Sequence, residues 1–168
     1  MDDADADRNS PKQGRDGQDQ ADAARVFEKS SHGVAIAVEP IYLESHSLPA
    51  MDHYVWAYRV RIANGRGGAV QLKTRYWRIT DSRGAVQEVF GEGVVGEQPV
   101  IQPGETYEYT SGAPLATPSG FMHGRYGMET PEGESLDVDV PAYSLDSPPD
   151  SGLAHCSANP SGEFLRYG

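Results

Sequence analysis

At 168 residues, with a formal net charge of −11 and 38% hydrophobic side chains, the chain has room for one domain with a real core, and its acidity argues against partnership with nucleic acid phosphates. A single cysteine, Cys156, excludes an intramolecular disulfide and suits a reducing compartment. The N-terminus lacks the apolar core of a secretory signal and nowhere is there an apolar run that spans a bilayer, so a cytoplasmic protein away from membranes is expected.

Residues 1–33 hold eight acidic and five basic side chains among Asp, Gln, Gly and Ser. Such a segment buries too little surface to offset its ordering entropy, so it is predicted to be a disordered acidic tail, with only a short helix over 20–29 weighed against that. From Val34 the period becomes two: Val34, Ile36 and Val38 share a face, and Pro40 then interrupts before Ile41, Tyr42 and Leu43. This predicts a first strand, bent or bulged at the proline and therefore at an edge.

Tyr54, Trp56, Tyr58, Val60 and Ile62 alternate with Arg59 and Arg61, the pattern of a strand with one buried and one wet face. Asn64-Gly65-Arg66-Gly67-Gly68 follows and predicts a tight reversal into a hairpin. Val70, Leu72, Thr74 and Tyr76 open the next strand, while Trp77 and Ile79 continue it on the opposite parity. A bulge near Tyr76 would turn both sets inward, because one extra residue reverses the face presented.

Short strands are expected at 85–90, 106–110, 120–129 and 136–140, with turns at Asp81-Ser82-Arg83-Gly84, Gln102-Pro103-Gly104-Glu105 and Thr130-Pro131-Glu132-Gly133, and a crossing loop over Pro114 to Pro118. Seven to eight short strands with no confident helix between them predict an all-β sandwich of immunoglobulin or fibronectin type III style over residues 34–146. Residues 147–168 read as a second flexible tail.

Gly91-Glu92-Gly93-Val94-Val95-Gly96 matches GxGxxG in letters. A dinucleotide site needs a helix whose N-terminus meets the pyrophosphate. Here Glu97-Gln98-Pro99 and Pro103-Gly104 follow, so no helix can form. The glycines are read instead as permitting a kink and a close passage beside a neighbouring strand. A helix-free anion-binding concavity is the alternative, opposed by Glu92 and Glu97.

Seven of the eight basic residues of the predicted domain (Arg59, Arg61, Arg66, Lys73, Arg75, Arg78 and Arg83) fall between positions 59 and 83. In the expected hairpin, Arg59, Arg61, Lys73 and Arg75 would share one solvent face and form a local basic patch for an acidic or phosphate-bearing partner. Solvated strand faces and edge protection are the simpler account. The histidines show no HxH or HExxH spacing; His46, Asp52 and His53 share one loop, which is thin ground for a metal site. Ser111 and Ser119 sit in turn contexts with no GxSxG elbow. No catalytic residue, metal or cofactor is expected, and the chain is read as a non-enzymatic module for an unknown protein partner, a reading compatible with a homo-oligomer.

Trp77-Arg78-Ile79-Thr80-Asp81, Gly84, Glu88-Val89, the block from Gly91 to Pro99, Pro103-Gly104, Tyr109-Thr110-Ser111-Gly112 and Gly120-Phe121-Met122-His123-Gly124-Arg125-Tyr126 occur in that order. Together they resemble the ApaG family from about Val34 to Leu145. The resemblance implies a fibronectin type III-like sandwich, an association with cobalt and magnesium tolerance or efflux, and use as an interaction module. It also implies a pyrophosphate-binding alternative on Gly91, Gly93 and Gly96. The family often has histidine where this chain has Tyr76. The expected contact region combines Arg75, Trp77, Gly91, Glu92, Gly93, Val94, Val95, Gly96 and Gln98.

Overall fold

The structure is a computed structural model that describes residues 25–149. The expectations for residues 1–24 and 150–168, Cys156 among them, lie outside the described residues. Two antiparallel sheets face each other across one core. The first contains β1 (Phe27–Ser31), β2 (Val34–Tyr42), β3 (Tyr54–Asn64) and β7 (Thr106–Leu115), in that spatial order. The second runs β5 (Val86–Glu92), β4 (Val70–Asp81), β8 (Ser119–Glu129) and β9 (Ser135–Asp146), with the short β6 (Val100–Ile101) also paired to β4. Sequence alternation thus yields the all-β sandwich it predicted, with nine strands among the described residues.

Period-two burial is clearest on β3, where Tyr54, Trp56, Tyr58, Val60 and Ile62 are all buried. On its outer face Arg59 lies between the carboxylates of Glu39 and Glu108, 3.5 and 3.7 Å away. Met122, Tyr126 and Met128 on β8 and Leu136, Val138 and Val140 on β9 complete the opposing layer.

Three expectations are corrected. Part of the segment predicted as disordered is β1, which pairs with β2 from Phe27↔Val38 to Ser31↔Val34 through a two-residue turn at His32 and Gly33, both at positive φ, the geometry that suits hairpin twist. Only Phe27 of its five residues packs against the core, so the apolar pattern is too sparse to show; backbone pairing and a Lys29–Asp139 ion pair of 3.3 Å to β9 hold it. The candidate helix over 20–29 is overturned at its C-terminal end by this strand.

Next, β3 and β4 do not form a hairpin; they lie in different sheets. Asn64 is 1% exposed. Its Nδ2 donates to Gly68 O and Ile101 O at 2.9 Å each, and its Oδ1 accepts from the Arg66 N–H. This network turns the glycine-rich stretch into a crossover between sheets, because a buried amide must satisfy its hydrogen bonds. The predicted basic face therefore does not form: Arg59 and Arg61 stand on the first sheet, Lys73 and Arg75 on the second.

Finally, β2 lies between β1 and β3 rather than at an edge, and its register with β3 runs without a break from Val34↔Asn64 to Tyr42↔Trp56. Pro40 is tolerated because β1 ends opposite Val38, so no neighbour requires its missing donor on that side.

Candidate functional site

The register irregularity on β4 falls between Leu72 and Thr74, three residues before the predicted bulge. Val70 and Leu72 point inward before it, and Trp77 and Ile79 point inward after it. Arg75 shares the inward parity of Trp77, so the shift takes Arg75 out of any surface patch. Its Nη1 donates to Glu92 O and Gly93 O, both at 2.9 Å. Trp77 is 2% exposed, which removes it as a contact residue.

The glycine block is fastened to this strand. Gly93 N–H donates to Lys73 O at 2.8 Å, Val94 N–H to Glu97 O at 2.8 Å and Glu97 N–H to Val94 O at 2.9 Å. Gln98 Nε2 also donates to Lys73 O, at 3.0 Å. Val94 is fully buried and plugs the end of the core, while Glu97 Oε2 accepts from the Tyr107 hydroxyl at 2.9 Å and ties the turn to the first sheet. A side chain at Gly91 would strike the Arg75 guanidinium at 2.9 Å, and a Cβ at Gly93 would sit 2.2 Å from Glu97 O. The motif is thus a kink with close passages, and the N–H groups of Gly93, Val94 and Glu97 are consumed by internal carbonyls. A pyrophosphate concavity at this segment would require those donors to converge outward.

These geometries carry a stability prediction. Gly93→Ala is expected to lose at least about 2 kcal/mol, since positive φ and a backbone clash coincide. Gly96→Ala, with φ of 81° and no neighbour within 4 Å of the added carbon, is expected to lose only about 1–2 kcal/mol. Val95 is β-branched at φ 45°, so Val95→Asn is expected to gain about 1 kcal/mol by relieving that strain. Urea denaturation of the three variants checks the order.

Four tyrosines gather inside. Trp77 lies 5.3 Å from Tyr58, 6.1 Å from Tyr126 and 6.2 Å from Tyr143, ring centre to ring centre. Tyr109 and Tyr126 share a hydrogen bond between hydroxyls, and Tyr143 donates to Met122 Sδ at 3.3 Å. Burial pushes all four phenols up; Ser111 and Arg75 partly offset this at Tyr58.

The outer face of the second sheet was missed by sequence reasoning. Its rows are set by register: Phe90, Tyr76 and Arg125 in one, Glu88, Arg78 and His123 in the next, Val86, Thr80 and Phe121 in the third. Phe90 is 73% exposed, and Val86 and Phe121 are 47% each. Arg125 stacks over the Tyr76 ring at 5.1 Å, and Tyr76 donates to Glu88 Oε1 at 2.6 Å, a bond that pushes its phenol up. The signal was present: Val86 and Phe90 share parity with Glu88 and Glu92, and that charged parity marks the outward face.

The ApaG domain profile matches residues 44–130, more than half of the chain. The chain belongs to the ApaG family. Protein ApaG of Rhizobium etli is 58% identical over 123 residues, covering 73% of this chain and 95% of the relative. Protein ApaG of Parvibaculum lavamentivorans is 54% identical over 130 residues, covering 77% and 100%. A crystal structure described as that of an ApaA protein from Bordetella pertussis superposes with a TM-score of 0.68 at 41% identity, over 73% of this chain and 98% of the other. The ApaG match includes the whole glycine block and the β4, β5 and β8 strands that build the outer face. Among the described ApaG-domain residues no three His, Cys, Asp or Glu side chains converge as a metal site, and no helix is long and apolar enough to cross a membrane.

Proposed function

We propose that the chain is a non-enzymatic binding module that recognises a protein partner through the outer face of the second sheet. The observation that supports it is the grouping of Val86, Phe90 and Phe121, exposed large apolar side chains, around Tyr76, Arg78 and Arg125 on one sheet surface. Exposed apolar groups of this kind mark contact sites when they cluster, and aromatic and arginine side chains dominate the energy of interfaces. The clustered tyrosines Tyr58, Tyr109, Tyr126 and Tyr143 lie inside, where they pack. The association with cobalt and magnesium homeostasis that the family resemblance implies runs, on this reading, through the partner. The contact region expected around Arg75, Trp77 and residues 91–98 moves outward by one face, to the side of β4 and β5 opposite Trp77.

Phe90→Ser with Phe121→Ser is expected to abolish capture of partners from a lysate while leaving thermal unfolding within a few degrees of the parent, since neither ring belongs to the core. Retention of every partner by this double variant would refute the assignment.

A further inference from the structure

Every second backbone group of an edge strand faces away from its sheet. The bond from Gly93 N–H to Lys73 O sets the phase of the β4–β5 ladder. Counting back along the register, Gly91, Val89 and Gln87 direct their N–H and C=O toward β4, and Val86, Glu88 and Phe90 direct theirs outward. Glu92 follows in the same phase, but its C=O already accepts from Arg75 Nη1 at 2.9 Å, which leaves its N–H. Among the described residues β5 pairs with β4 alone.

The other lateral edges are covered or blunted. β1 and β9 are joined by the Lys29–Asp139 pair and by a bond from the Asp139 N–H to Ser31 Oγ. β7 carries Pro114 and the Arg59-paired Glu108. Within Val86–Glu92 there is no proline, lysine or arginine; its edge charges are the two glutamates, which deter a like-charged strand but not a basic one. On the outer side this strand presents Glu88 and Glu92 flanking the 73%-exposed Phe90. Glu88 gives one oxygen to Tyr76, and Glu92 makes no ion pair among the described residues.

We propose that β5 is a docking edge for an extended basic segment of a partner protein, which adds as a strand beside Val86–Glu92. This rests on the binding-module reading and names how the partner engages. Main-chain bonds to Val86, Glu88 and Phe90 and to the Glu92 N–H supply affinity, and alternate side chains supply specificity. Cross-strand pairing calls for Lys or Arg opposite Glu88 and Glu92 and an aromatic side chain opposite Phe90. The pattern basic–x–aromatic–x–basic reads the same in both chain directions. The net charge of −11 steers a basic segment in from solution. The same charge repels a second copy. Self-pairing centred on Glu88 sets it against itself, and self-pairing centred on Phe90 sets Glu88 against Glu92; centring on Val89 offers the glutamates only Phe90 and Val86.

The test uses the full chain and three fluorescein-labelled heptapeptides followed by anisotropy: Gly-Lys-Thr-Phe-Thr-Lys-Gly, its glutamate counterpart Gly-Glu-Thr-Phe-Thr-Glu-Gly, and the lysine peptide N-methylated along one backbone edge. The lysine peptide is expected to bind at least tenfold tighter than either of the others. Glu88→Lys with Glu92→Lys is expected to reverse the preference between the charged peptides. Amide exchange at Glu88, Phe90 and Glu92 is expected to slow several-fold with the lysine peptide, a change that contact through side chains alone would not produce. Equal binding of all three peptides, or unchanged exchange at those amides, overturns strand addition. If Phe90→Ser with Phe121→Ser still abolishes lysate capture, that failure leaves the binding-module reading standing. A dimer on size exclusion that dissociates on Phe90→Ser overturns the proposal in favour of a second copy.

Discussion

Trp77→Ala is expected to remove about 3–5 kcal/mol of folding stability, a large share of the 5–15 kcal/mol that is typical of a domain. The indole is 2% exposed and joins the two sheets, meeting Tyr58 of β3 on one side and Tyr126 and Tyr143 of β8 and β9 on the other. The neighbouring strand β8 packs closely beside the ring, with Gly124 directly across from Trp77. A Cβ at Gly124 would already lie 2.1 Å from Tyr76 O and 3.0 Å from Trp77 Cε3, so the sheet is drawn tight against the ring. Trp77 Nε1 is buried without a hydrogen-bond partner among the described residues, a desolvation penalty of about 1–3 kcal/mol. Trp77→Phe sheds that penalty while keeping most of the apolar body, and is expected to lose less than half of what alanine loses. Urea unfolding followed by far-ultraviolet circular dichroism checks both. An alanine variant within about 1 kcal/mol of the parent would show that the indole does not carry the packing assigned to it.

Where a strand is half-buried, its sequence displays the burial directly. Tyr54 to Ile62 on β3 and Leu136 to Val140 on β9 were legible because water on one face and core on the other impose period two. β1 was not legible, since its stability comes from pairing with β2 and from an ion pair rather than from its own apolar side chains. The fate of Asn64-Gly65-Arg66-Gly67-Gly68 was hidden for a related reason. Its residues suit a hairpin turn locally, and only the burial of Asn64 against Ile101 O, a contact distant in sequence, makes it a crossover. At the candidate site the meaning of the glycines could be read, because a missing helix and two prolines excluded a dinucleotide turn. The direction of Arg75 could not. One irregularity at Leu72/Thr74, placed by pairing with β8, decides whether Arg75 faces solvent or the interior, and with it which side of β4 is left for a partner.

Raising the pH above 10 is expected to unfold the protein steeply. Burial pushes the phenols of Tyr109, Tyr126 and Tyr143 well above their ordinary range, and the hydroxyl contact between Tyr109 and Tyr126 couples two of them. The folded state therefore holds these protons where the unfolded chain, with ordinary phenols near 10, releases them. With the folded pKa raised, the stability is present in full below the unfolded value and is lost progressively as pH rises from there toward the folded value, because over that range the unfolded state binds fewer protons. Each such phenol contributes a slope of about 1.4 kcal/mol per pH unit, and the three together about 4 kcal/mol per unit. A domain of ordinary stability is then exhausted by about pH 12. Urea midpoints taken between pH 8 and 11, with tyrosinate absorbance recorded alongside, provide the measurement. The buried phenolates are expected to appear together with loss of structure rather than ahead of it. Tyr109→Phe is expected to flatten the alkaline slope by about a third while lowering stability at pH 7 by about 1–3 kcal/mol, because Tyr126 loses its buried partner. Stability that stays level from pH 9 to 11 would mean that these hydroxyls reach water in the folded protein.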